Sequence, residues 1–186
     1  MLYTVAILPV FGQEHESVLI APENWQSEII LFPISFAPEI DLTGFEDLRF
    51  APGWADSTSQ EFWTYTFVWY VDEKQPMTES KLTEYFNYYY DGLMGVDRKN
   101  KADTTNSVKL DKTLCLFIQS KEGFSGKMRV YDNFFTKDYL ILNIKVKESF
   151  CPEMKKHIIS CEISPKPFDH SVWAIFENVK LKKECK

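Results

Sequence analysis

The chain has 186 residues, of which 45% are hydrophobic and 16% aromatic, and a formal net charge of −6. That length suits one domain with a substantial core, and no Gly/Ser- or Pro-rich linker divides it. A net negative chain lacks the basic footprint that phosphate neutralisation requires, which excludes nucleic acid as a general partner. The charge is unevenly spread. Residues 1–95 carry 3 Lys and Arg against 15 Asp and Glu, whereas residues 96–186 carry 18 against 12. Acidic and basic surfaces side by side in one domain account for this, and a two-signed docking surface is the alternative.

The first twelve residues, MLYTVAILPVFG, are uncharged, and Val10 and Gly12 occupy the −3 and −1 positions of an export cleavage site before Gln13. Residues 1–12 are therefore expected to be a signal peptide, shortened at its basic end. Residues 13–186 would then form one domain in the periplasm or outside the cell. The competing expectation is a buried first strand of a cytoplasmic protein. No run approaches the ~20 apolar residues of a membrane-spanning helix, so no membrane span is expected.

Residues 13–24 read as an exposed lead-in. The run EIILF, ended by Pro33 and Pro38, places a strand over 26–32. A second strand covers 45–50, with Asp47 and Arg49 on one face, and Pro52-Gly53 marks the turn after it. From Glu61 the side chains alternate with a period of two. Trp63, Tyr65, Phe67, Trp69 and Val71 form an aromatic stripe on one face, and Phe62, Thr64, Thr66, Val68 and Tyr70 form a mixed one.

The spacing of Leu82, Tyr85, Phe86, Tyr89, Tyr90 and Leu93 predicts a helix over 78–93, with Thr78 as N-cap and Gly92 and Gly95 as the stop. Residues 97–106 are polar and unpatterned. Four strand-like runs follow at 107–119, 127–131, 139–146 and 157–163, joined by short turn-rich segments that imply antiparallel neighbours. Asp169 is the expected cap of a short helix over 171–177, and LKKECK reads as a solvated tail. The order predicts an α+β fold: a mainly antiparallel sheet of about six or seven strands, one main amphipathic helix and a short C-terminal helix.

The chemistry in this sequence is sparse. His15 sits in EHE, but the three histidines share no helical or hairpin spacing, so no metal site is expected. The loop 97–103 lacks the glycine and terminal glutamate of a calcium loop. There is no G-x-S-x-G and no phosphate-binding or dinucleotide glycine pattern, so neither catalytic residues nor a cofactor are expected; Gly123-Phe-Ser-Gly126 reads as a turn. A Cys/His pairing of Cys151 or Cys161 with His157 or His170 depends on distance alone. Cys115, Cys151, Cys161 and Cys185 allow disulfides, for example 151–161 with 115–185, although Cys115 in LCLFI equally suits a buried thiol.

Glu46/Asp47 and Asp72/Glu73 flank the aromatic strands, as a glycosidase pair would require, yet adjacent acids on a strand face opposite sides. The aromatic stripe is first of all core material. If exposed, Trp54, Trp63, Tyr65, Trp69 and Tyr88 are the candidates for a ligand platform.

The segments WQSEIILFPISFAPEI, GFEDLRFAPGW and EFWTYTFVW, with YFNYYYDGLMG and FDHSVW, resemble a group of uncharacterised exported bacterial proteins. The resemblance covers most of 25–176 and implies export and a single domain; it supplies no site residues. The function expected from these readings is a secreted or periplasmic module that binds a small molecule, glycan or protein without chemistry, as a monomer or weak homo-oligomer. A hydrolase using the loop carboxylates and a salt-sensitive assembly module are the alternatives.

Overall fold

The computed structural model describes residues 16–72, 75–96 and 110–182. The expected signal peptide, His15, Glu73, the 97–106 loop and Cys185 lie outside the described residues. The fold is α+β, built on a seven-stranded antiparallel sheet. In chain order the strands are β1 (Leu19–Ile20), β2 (Gln26–Leu31), β3 (Gly44–Phe50), β4 (Tyr65–Val71), β5 (Leu114–Ser120), β6 (Gly123–Tyr131), β7 (Tyr139–Cys151), β8 (Lys156–Ser164) and β9 (Lys180–Leu181). The helix α1 spans Glu79–Met94, and a 3-10 helix spans Ser171–Asn178. Strands lie in the order β2-β3-β4-β8-β7-β6-β5, so two meanders meet where β4 pairs with β8.

One face of the sheet lies under α1 and the segment before β3. It carries Tyr65, Phe67, Trp69 and Val71 of β4 with Leu142, Ile144, Val146, Ile159, Cys161 and Ile163 of the neighbouring strands, all buried in one core. Leu82, Tyr85, Phe86, Tyr89 and Tyr90 of α1 press onto it, as the spacing predicts, while Met94 rather than the half-buried Leu93 completes the buried face. Thr78 accepts from the Lys81 N–H, and Gly95 closes the helix in the left-handed region at φ 70°. Gly92 is required for a different reason: a Cβ there would lie 1.7 Å from the Phe36 carbonyl oxygen.

On the other face, Asp47 and Arg49 are buried side by side, as their shared face implies. Asp47 Oδ2 accepts from Val18 N at 2.8 Å and Leu19 N at 3.1 Å, and Arg49 is ion-paired to Asp47. This clamp holds the lead-in against the sheet, so residues 16–24 are not simply exposed: Leu19 is buried and β1 pairs with β9. The same pairing means that the C-terminal segment is a strand at residues 180–181. The short C-terminal helix is 3-10, and His170 rather than Asp169 caps it, its Nδ1 accepting from Val172 N at 3.1 Å.

The aromatic strand begins four residues later than the alternation suggests. Residues 51–64 close on themselves through Ala51 N to Thr64 O and Trp63 N to Trp54 O. Trp63 adopts φ 52°, which turns the chain into β4. Gly123-Phe-Ser-Gly126 is strand rather than turn, because β5 and β6 reverse through Lys121-Glu122 alone.

The two sheet edges are treated differently. The N–H groups of Thr113, Cys115 and Gln119 point outward from β5 and donate to Asp91 Oδ1, Asn87 Oδ1 and Glu79 Oε1 of α1. Four residues of helix advance about 6 Å and two of strand about 6.8 Å, so a stripe at every fourth helical position keeps step with alternate strand amides. That capping seals β5 against further strand pairing. Among the described residues, β2 has no such cover.

Cys115 and Cys161 are free, buried thiols, and Cys151 is disulfide-bonded. Pairing of Cys151 with Cys161 is ruled out by register: Cys151 sits opposite Lys156, five residues before Cys161 on β8. That is about 16 Å of strand, far beyond the ~7 Å limit between bridged Cα atoms. The alternative 115–185 bridge is likewise excluded by the free Cys115. Burial pushes the Cys115 thiol up to about 12 and Cys161 well above its ordinary value. Neither thiol is therefore expected to react with iodoacetamide at neutral pH while the protein is folded, and both are expected to react in denaturant. Peptide mass mapping with and without denaturant checks this.

Candidate functional site

The aromatic stripe is core along its length. Trp63, Tyr65 and Trp69 are 1%, 4% and 0% exposed, so the stripe offers no open platform. The reason is physical: α1 and the 33–42 segment need an apolar bed, and β4 at the centre of the sheet supplies it. Tyr88 is exposed on the outer side of α1, where its hydroxyl donates to Glu84 Oε1 at 3.0 Å.

At one end the stripe is incompletely filled. A cavity of about 140 Å³ lies among Phe50, Trp54, Trp63, Tyr65 and Phe134, with Leu93 of α1 also in its wall. Glu28 and Ile30 of β2 border it, and Glu28 is exposed. A space of this size takes one side chain or one benzene-sized ring. Three of the five aromatic residues singled out from the sequence, Trp54, Trp63 and Tyr65, meet here; Trp69 lies deeper and Tyr88 elsewhere.

Two features of Trp63 set it apart. Its φ of 52° is a conformation that costs a bulky residue on the order of 1–3 kcal/mol. Its indole Nε1 is buried and has no acceptor. A buried orphan donor beside an apolar cavity marks a place where a ligand oxygen gains a hydrogen bond.

The cavity's outer wall comes from the turn 132–138, which sequence reasoning read only as a connection. Asp132 is buried, and its carboxylate accepts from Phe134 N, Phe135 N and Thr136 N at 2.9, 3.1 and 2.8 Å, and from Thr136 Oγ1. Burial acts to raise this carboxyl, but the donors from Thr136, Phe135 and Phe134 together hold it below its usual value. The ordered turn sets Phe134 over Trp63 and Phe135 edge-on to Trp54, with centroids 6.1 and 5.2 Å apart. Two adjacent phenylalanines in an otherwise polar turn were the available signal.

Behind the cavity lies a polar group in the core. Glu46 is fully buried, accepting from Tyr89 OH at 3.0 Å and Trp69 Nε1 at 3.3 Å. Tyr65 and Tyr90 hydroxyls are hydrogen-bonded beside it. Burial raises the Glu46 carboxyl from 4.5 to about 8, against the pull of the Tyr89 and Trp69 donors. The carboxylate pairs do not converge. Glu46 and Asp47 face opposite sides of β3, and Asp72 is ion-paired to Lys156 at 2.5 Å. The Cys/His pairings are likewise unmade: His157 Nδ1 is 2.9 Å from Glu148 Oε1, and His170 is the cap described above. Among the described residues there is no cluster of three His, Cys, Asp or Glu suited to a metal, and no helix is long and apolar enough to cross a membrane.

Because folding raises the Glu46 carboxyl, the folded chain holds a proton that the unfolded chain releases near 4.5. Its contribution is fully present below about 4.5 and is lost as pH rises to about 8, an effect on the order of 5 kcal/mol. Glu46→Gln keeps an acceptor without the charge and is expected to flatten that slope, which urea unfolding at a series of pH values measures. Asp132→Ala is expected to cost about 2–3 kcal/mol by stranding backbone donors, and to increase quenching of tryptophan fluorescence by iodide.

Comparison of the chain with protein-family models, with curated proteins and with solved structures returned no match.

Proposed function

We propose that the protein is a non-catalytic binding module that receives one apolar or aromatic group in the cavity beneath Trp54 and Phe134. The observation that carries this reading is Trp63, whose Nε1 has no acceptor among the described residues, in the wall of a 140 Å³ cavity that it shares with aromatic and aliphatic side chains and with Glu28. Apolar walls with a few placed polar groups are the usual composition of a ligand site. Strain retained at Trp63 supports the same reading, since such conformations cluster where ligands are held. Hydrolysis is the weaker reading, because the buried Glu46 has no access to solvent and Asp72 is already engaged.

An exported setting, periplasmic or extracellular, accords with the disulfide at Cys151, since disulfides persist in oxidising compartments. The free thiols do not oppose it, because both are buried where oxidants do not reach.

The test uses p-cresol, whose ring fits the volume and whose oxygen can accept from Trp63. In amide and indole NMR spectra, titration is expected to shift the Trp63 Nε1–H and the amides of 50–54 and 134–135, with affinity in the millimolar range. Ile30→Trp, which fills the space from β2, is expected to abolish the shifts. Absence of any change at these positions would overturn the reading.

A further inference from the structure

The cavity opens beside a strand that lacks a neighbour. In the β2–β3 ladder Phe32 N donates to Gly44 O, which fixes the alternation: residues 26, 28 and 30 bond inward to β3. Ser27, Ile29 and Leu31 therefore turn their backbone N–H and C=O groups outward, where they have no partner among the described residues. Their side chains are exposed, Ile29 at 37% and Leu31 at 49%. Within Gln26–Leu31 there is no lysine, proline or bulge to discourage pairing, whereas at the opposite edge side chains of α1 accept from the amides of Thr113, Cys115 and Gln119.

From this asymmetry we infer that β2 is a docking edge: an extended peptide of another protein adds to the sheet as a further strand and places one side chain into the cavity. The inference rests on the binding reading above and names the class of ligand. The face alternation supports it directly. A residue opposite Ile29 exchanges backbone hydrogen bonds with it, while a residue opposite Glu28 or Ile30 carries its side chain on the face where those two border the cavity. Backbone pairing supplies affinity and the single pocket supplies selection, as in other strand-addition domains. Ile29 and Leu31 offer apolar surface to the alternate side chains.

Charge narrows the partner. Glu28 stands at the cavity and Glu23 just ahead of β2, both exposed, within the half of the chain that carries 15 acids against 3 bases. The peptide is therefore flanked by lysine or arginine, with a ring-sized side chain at its centre; a tyrosine oxygen there would satisfy Trp63. A second copy of this chain is the less suited occupant, because β2 against β2 would bring the acidic surfaces of both copies together.

The experiment is fluorescence anisotropy with a labelled peptide, Lys-Thr-Val-Tyr-Val-Thr-Lys, on the full chain at low and at 0.5 M salt. Binding is expected, weakened tenfold or more by Tyr→Ala in the peptide, by N-methylation of its two valines, and by Ile29→Pro. Ile29 suits that substitution because its N–H takes no part in the β2–β3 ladder. High salt is expected to weaken binding as well. Equal affinity for the N-methylated peptide would overturn strand addition, and it needs no protein variant. Failure of the peptide while p-cresol still shifts Trp63 would overturn this inference and leave the cavity reading standing; failure of both removes both. A concentration-dependent dimer that Ile29→Pro dissolves would overturn the peptide in favour of a second copy.

Discussion

The seam between β4 and β8 is the contact on which the rest of the molecule depends. Each meander alone is a narrow antiparallel sheet with an apolar face that it must bury against another layer. Pairing Tyr65–Val71 with His157–Ile163 merges them into one sheet broad enough for α1 to cover. The seam is also sealed by side chains: Thr66 Oγ1 donates to Cys161 O at 2.7 Å, and Thr64 and Ser164 hydroxyls lie 2.9 Å apart. The threonines of the mixed face are there because a strand buried on both sides still has polar neighbours to satisfy.

Once the seam fixes the sheet, its two ends take different characters. The β5 end is finished: helix carboxylates and an asparagine accept from its outward amides, and Phe117 packs over Gly126, where a Cβ would meet the ring at 2.5 Å. The β2 end is unfinished, with outward backbone groups and exposed isoleucine and leucine. The cavity lies at this same end, where Tyr89 and Leu93 of α1 and Phe134 of the turn from Asp132 share its wall. The acidic half of the chain forms this end, β2 to β4, and the basic residues Lys127, Arg129, Lys145 and Lys147 lie on β6 and β7 at the other. The acidic half of the chain also supplies α1, whose Asp91 and Glu79 lie against the β5 edge, so acids stand at both ends of the sheet.

A buried acid in an aromatic core needs a reason. Glu46 is neutralised by its own raised pKa near pH 7 and held by Tyr89 and Trp69, which in turn fixes the rings behind the cavity. The cost is a fold whose stability falls as pH rises from about 4.5 to about 8. Tyr65, which forms part of the cavity wall, is anchored by Tyr90 in the same neighbourhood. Rigidity of this kind suits a preformed pocket, because little ordering remains to be done when a ligand enters.

The sequence by itself determined the α+β class, most of the strands, α1 with its cap and stop, and the identity of the aromatic face, since these follow from periodicities of 2 and 3.6 that local side chains impose. It also determined that Glu46 and Asp47 cannot share a cleft. Tertiary structure decided what no local pattern encodes. It decided that the stripe is core, because only the packing of α1 says which apolar surface is covered. It started β4 at Tyr65, because a positive φ at Trp63 is a bend imposed by closure of the loop from Ala51. It brought Phe134 and Phe135 to Trp54 across more than seventy residues of chain, and it left β2 open while closing β5, since edges exist only once strands have been ordered. The cysteines show the same division: their number was legible, but register alone decided which of them could meet.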